Sequence, residues 1–127
     1  MRIFLVLITL IMMVGCKDAP EELSAEESYK QREKRTMEVA RMNGCLKCHD
    51  INRHVLGPAW KYVAERYKND NNARSYLIEN VKKGSTGVWD DLTGGAVMPP
   101  NSPRVSDAHI ERIVDFILTL DDGVSGD

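Results

Sequence analysis

Five consecutive residues constrain this chain more than any other feature: Cys45-Leu46-Lys47-Cys48-His49. Two cysteines separated by two residues and followed at once by histidine form the pattern of covalent haem attachment. The thiols add across the two vinyl groups on one edge of the porphyrin, and the adjoining histidine is held beneath the iron by the same turn. A chain carrying this motif has to fold around a large apolar plate. The composition agrees: aromatics are 6% and hydrophobic residues 43% of 127 residues, a modest interior, and folds this small often need a prosthetic group or staple to complete one. Two other uses of the motif fit less well. Zinc could draw on Cys45, Cys48, His49 and either His54 or His109, but structural zinc usually takes two separated ligand pairs. A redox dithiol expects a βαβ setting, and no strand pattern is visible. The three cysteines are an odd count, which argues against a disulfide framework.

The third cysteine has its own context. Met1-Arg2 is a short positive start, Ile3 to Val14 carries no charge, and Gly15-Cys16 follows. This is the layout of an export signal, and the run is shorter than the roughly 20 residues of a membrane-spanning helix. Met13-Val14-Gly15-Cys16 resembles the lipobox of bacterial lipoproteins, with Met13 where leucine is usual. The resemblance implies cleavage after residue 15 and acylation of Cys16. An uncleaved anchor or an ordinary signal are the alternatives. Lys17 resembles lipoproteins sent to the outer membrane. The expected location is therefore the periplasmic side of a bacterial membrane. Removing residues 1–15 takes away Arg2 alone, leaving 16 basic against 19 acidic residues, a formal −3. Nothing in that balance suggests nucleic acid.

The expected organisation is a signal over 1–15, a tether over 16–27, one domain over 28–122 and a tail over 123–127. Ser24 to Glu27 fits a capping box, opening a charged helix to Met42 whose C-terminal half alone is obliged to pack, through Met37, Ala40 and Met42; Tyr29 is the one apolar contact before them. Asn43-Gly44 is a plausible stop. A short helix follows in AWKYVAERY, with Pro58 in its first turn, and another over 72–83 with Tyr76, Leu77 and Val81 on one face. Residues 84–106 show no periodicity and read as a long loop, usually a functional feature. The last helix, capped by Ser106, places Ile110, Ile113, Val114, Ile117 and Leu120 at helical spacing. The fold class is all-α, four to five helices around one haem.

From Gly44 to Leu120 the sequence resembles the small single-haem class I cytochromes c of the c-551 type. The landmarks come in order: the attachment motif, Gly57-Pro58-Ala59-Trp60, Gly84-Ser85-Thr86-Gly87-Val88-Trp89, Met98-Pro99-Pro100-Asn101, then the closing helix. The resemblance implies that the Pro58 carbonyl accepts the second ring N–H of His49, that Trp89 donates to a haem propionate, that Met98 is the sulfur ligand, that Asn101 orients it, and that Lys82 and Lys83 lie near a propionate. Two stretches depart from the family: Asp90 to Val97 is longer than the usual linker, and Asn101 to Val105 is extended. The charged helix before Glu38 is longer too.

The residues also speak for Met98 directly. Three methionines follow the signal, and Met37 and Met42 sit on a predicted helix, where methionine is more often a gap-filler. Met98 lies in a proline-stiffened loop far along the chain. His54 and His109 are the rival ligands. Histidine with methionine is the ligation of electron-carrying cytochromes. The expected function is therefore one-electron transfer by a monomer, with no catalytic residue, in transient contact with redox protein donors and acceptors and held to the membrane by its lipid. The alternatives are a small-ligand binder or weak peroxidase with a labile Met98, and an electron-entry subunit of a larger complex.

Overall fold

In the computed structural model, which describes residues 23–120, Ser24 opens helix α1 (Ala25–Met42) with both halves of a capping box. Its hydroxyl accepts from the Glu27 N–H at 3.2 Å while the Glu27 carboxylate accepts from the Ser24 N–H at 3.1 Å. The export segment 1–15, Cys16, residues 17–22 of the tether and the tail 123–127 lie outside the described residues. A single 3-10 turn (Cys45–Lys47) follows, then α2 (Trp60–Tyr67), α3 (Ala73–Lys83), α4 (Asp90–Thr93) and α5 (Asp107–Leu118). Among the described residues there is no strand, only two isolated backbone bridges, His49 with His54 and Ser85 with Met98. The class is all-α.

Helix α5 organises the core because its apolar residues recur on one face. Ile110 and Val114 are fully buried, and Ile113, Phe116, Ile117 and Leu120 are nearly so. Around that stripe pack α1, α2 and α3. Trp60 of α2 meets Phe116 edge-on, ring centroids 6.4 Å apart. Ser106 caps α5 by accepting from the His109 N–H, and α3 is tied to α5 at the surface by Arg74, which holds both Asp115 and Glu111.

Three expectations need correction. The first half of α1 is not a solvated rod: Tyr29 is 9% exposed and its ring lies 6.3 Å from that of Phe116, whereas Met42 is 75% exposed. The helical phase decides this, since Tyr29, Thr36 and Ala40 fall on the face turned to α5 and Met42 does not. Pro58 lies ahead of α2, whose N-cap is Ala59. Finally, the 84–106 loop contains α4, closed by Leu92 and Thr93 N–H groups on the Trp89 carbonyl and by the Thr93 hydroxyl on the same oxygen. Four residues are too few to show a period.

Replacing Tyr29 by alanine should cost the holoprotein about 2–3 kcal/mol in guanidinium unfolding, in the range for deleting a large buried side chain. Met42→Ala should change stability by less than about 0.5 kcal/mol. Equal stability of Tyr29→Ala and wild type would mean that the N-terminal half of α1 is not docked.

Candidate haem site

The attachment turn is set by how α1 stops. Asn43 caps the helix, its N–H on the Val39 and Arg41 carbonyls, and Gly44 then takes φ of +79°. Glycine adopts that left-handed conformation without steric cost, and it swings the chain into the 3-10 turn. The Cys48 and His49 N–H groups both bond the Cys45 carbonyl, at 3.1 and 3.0 Å. Cys45 and Cys48, half-buried and not joined in a disulfide, line a cavity of about 260 Å³. Burial pushes the Cys45 thiol above its ordinary pKa, with the Arg104 guanidinium pulling the other way.

His49 is fixed from two sides. Its Nδ1 lies 2.9 Å from the Pro58 carbonyl oxygen. Because a carbonyl can only accept, Nδ1 carries the hydrogen and Nε2 keeps its lone pair for a metal. Behind the ring stands Gly57, where an added Cβ would sit 2.4 Å from His49 Cε1 and 2.8 Å from Nδ1. The Gly57 N–H in turn donates to the Cys48 carbonyl at 2.7 Å, closing the loop between motif and proline. Burial lowers the His49 pKa, only partly opposed by the Pro58 bond, so the neutral, ligand-competent ring is favoured.

The other ligand candidate is held by backbone pairing. Ser85 and Met98 exchange N–H to carbonyl bonds, both 2.9 Å. Gly84 makes room for that pairing: its φ is +84°, and a Cβ there would meet the Met98 carbonyl at 2.7 Å. Met98 lines the same cavity as Cys45, Cys48 and His49. Among the described residues Met37, Met42, His54 and His109 do not line it. His54 Nδ1 accepts from the Ala59 N–H at 3.0 Å, and His109 Nδ1 lies 3.2 Å from the Asn43 amide. Among the described residues no three His, Cys, Asp or Glu side chains gather as a metal site, so the zinc arrangement is not formed.

The remaining sequence candidates fall as follows. Trp89 lines the cavity, with the Arg66 guanidinium 4.6 Å over its ring and Tyr67 against its edge. Asn101 gives its amide hydrogens to the Val81 carbonyl at 3.1 Å and the Pro99 carbonyl at 2.9 Å, so it acts on the backbone beside Met98. Lys82 pairs with Asp107 and Lys83 with Glu79, and neither lines the cavity. The sequence marks Gly84 as the stop of the helix over 72–83, which it is, and gives no site role to Gly57, Gly84, Arg66 or Arg104. The two glycines stood in the quoted motifs, where a residue without a side chain beside Pro58 and before Ser85 was the available signal; the arginines left none. The walls are apolar (Val63, Leu77, Val81, Ile113, Val114 and Ile117 among them), and Cys45, Cys48 and His49 line the same cavity. Those donors and walls fit a covalently bound haem.

A helical shell around an apolar cleft, with C-x-x-C-H at its edge, defines a c-type cytochrome, and the comparisons agree. Residues 33–121 match the family model described as Cytochrome c. Cytochrome c-552 of Nitrosomonas europaea is 42% identical over 83 residues, covering 65% of this chain and 76% of that protein. Cytochrome c-552 of Hydrogenobacter thermophilus is 36% identical, covering 65% and 79%. The crystal structure of the Nitrosomonas cytochrome superposes with a TM-score of 0.59, covering 66% of this chain and 98% of that one. That of the class 1 cytochrome MtoD from Sideroxydans lithotrophicus gives 0.57 at 28% identity, covering 70% and 96%. The chain belongs to the cytochrome c family: it is a small class I, single-haem electron-transfer protein, with Cys45 and Cys48 in the positions of covalent attachment.

Gly57→Ala should displace the His49 ring from Pro58, because 2.4 Å leaves no room for a methyl group. Expressed with its maturation machinery, the variant should accumulate well under half the haem-stained protein of wild type. Undiminished staining with an unchanged spectrum would show that the ring tolerates the Cβ.

Proposed function

We propose that the protein carries single electrons in the periplasm on a haem c ligated by His49 and Met98, and that Cys16 holds it to a membrane through lipid. The observation that carries the ligation is the shared cavity: Met98 lines it with Cys45, Cys48 and His49, while the rival side chains face other partners. When bound, such a haem supplies reversible one-electron exchange at its iron. The chain's own residues bind, orient and desolvate. Pro58 fixes the His49 tautomer, a second-layer bond of the kind that tunes a metal site. The Ser85–Met98 pairing and Asn101 fix the ligand loop. Trp89, which lines the cavity, would donate its indole N–H to a propionate, the role that the family resemblance implies.

Ligation by both His49 and Met98 would leave no open position for substrate or gas, which supports a carrier rather than an enzyme. Its encounters with donor and acceptor are those of a monomer with a small, transient interface. Among the described residues no helix is long and apolar enough to cross a membrane. The lipobox-like run before Cys16 supports attachment through lipid, and two or more acyl chains give stable anchoring where one is marginal. A tether then raises the local concentration for membrane-bound partners.

Mixing the reduced protein with carbon monoxide should leave the wild-type spectrum unchanged. Met98→Ala should bind carbon monoxide, lose the near-infrared band of methionine-ligated ferric haem and show a lower potential; Met37→Ala and Met42→Ala should match wild type. Carbon monoxide binding by wild type would favour the small-ligand reading, and a band surviving in Met98→Ala would show another ligand. Expressed whole in a Gram-negative host, the protein should fractionate with membranes, and Cys16→Ala should release soluble red protein or block processing. A wild type that is already soluble, with an unmodified N-terminus, would contradict the anchor.

A further inference from the structure

Arg104 stands in the extended stretch after Asn101, and its guanidinium joins the two halves of the haem cleft. Nη1 donates to the Asn43 carbonyl at 2.9 Å, two residues before Cys45. Nη2 donates to Asn101 Oδ1, three residues after Met98. Both acceptors are themselves anchored. The Asn43 amide donates to the Val39 carbonyl at 2.8 Å and reaches His109, so its backbone oxygen is a fixed post at the end of α1. Asn101 is bound through its own N–H to the Val81 and Lys82 carbonyls. Just beyond Arg104, the nearly buried Val105 returns its N–H to the Asn101 carbonyl at 2.8 Å, which fixes the arginine's backbone.

The bond to Asn101 decides which way a carboxamide faces. With its oxygen held by Arg104, the Asn101 NH₂ group has to point at the Val81 and Pro99 carbonyls, which is where it donates. Pro99 adjoins Met98. A rigid planar fork can serve two acceptors at once, whereas an ammonium on a flexible stem serves them poorly. Arg104 also lines the cavity.

We propose that Arg104 is a positioning residue: it latches the Met98 loop to the attachment turn and thereby holds Met98 in its ligating position. This rests on the reading of Met98 as ligand. The latch opposes displacement of the methionine by an outside base, a property that a residue serving general stability would not control selectively.

The test is titration of the ferric holoprotein with imidazole, followed by loss of the near-infrared band, on wild type, Arg104→Ala, Arg104→Lys and Arg74→Ala. Arg74 is the control because it too is a surface arginine bridging elements, between α3 and α5 away from the cleft. Arg104→Ala should bind imidazole roughly tenfold more tightly, equivalent to about 1.4 kcal/mol. Arg104→Lys should lie between it and wild type, and it supplies the answer if the alanine variant fails to mature. Arg74→Ala should stay within about twofold of wild type. The latch is overturned if Arg104→Ala, or Arg104→Lys standing in for it, stays within twofold of wild type, or if Arg74→Ala loosens the methionine equally. If Met98→Ala keeps the band and the wild-type imidazole affinity, the ligand assignment has failed and the latch falls with it.

Discussion

The site depends first on a contact made possible by an absence. The His49 ring lies against the bare Cα of Gly57, so close that a methyl group there would overlap it. That proximity lets Nδ1 reach the Pro58 carbonyl, fixes the tautomer and leaves the Nε2 lone pair free for a metal. The Gly57 N–H to Cys48 carbonyl bond ties the same loop to the attachment turn. One short loop therefore sets the thiols, the ring and its protonation together. Its position follows from α2, whose Trp60 and Val63 are buried beneath α5.

The other side of the cleft is held differently. Met98 sits in no helix. Its place comes from two backbone bonds to Ser85, the left-handed Gly84 that allows them, and the Asn101 amide on neighbouring carbonyls. Each bond contributes modestly, about 1 kcal/mol net, and most of these groups are partly exposed. On the reading of Met98 as ligand, a side chain held by such a loop is easier to displace than one fixed as His49 is, and that is where a latch such as Arg104 would act. Surface ion pairs such as Lys83 with Glu79 add little to this.

Much of this was legible in advance, for identifiable reasons. The motif, the capping box at Ser24 and the α5 stripe are short-range patterns, and each appears at its place. The docking of Tyr29 on Phe116 was not foreseen, because a charged helix with one aromatic near its start looks solvated until its phase relative to α5 is known. Helix α4 was hidden by its length. The resemblance implies that Lys82 and Lys83 lie near a propionate; their ammonium groups pair here with Asp107 and Glu79. Arg104 left no sequence signal, since its two acceptors are far apart in the chain and meet only once the cleft closes.

The central claim is that Met98, alone among the methionines of the described domain, faces the haem iron. The most direct measurement is a proton–carbon NMR spectrum of the ferrous protein with carbon-13 in its methionine methyl groups. A methyl group under the porphyrin ring current moves far upfield, clear of every other resonance. One such signal, lost in Met98→Ala, with Met37 and Met42 at ordinary positions, is the predicted result. No upfield methyl, or one that belongs to Met37 or Met42, would contradict the account.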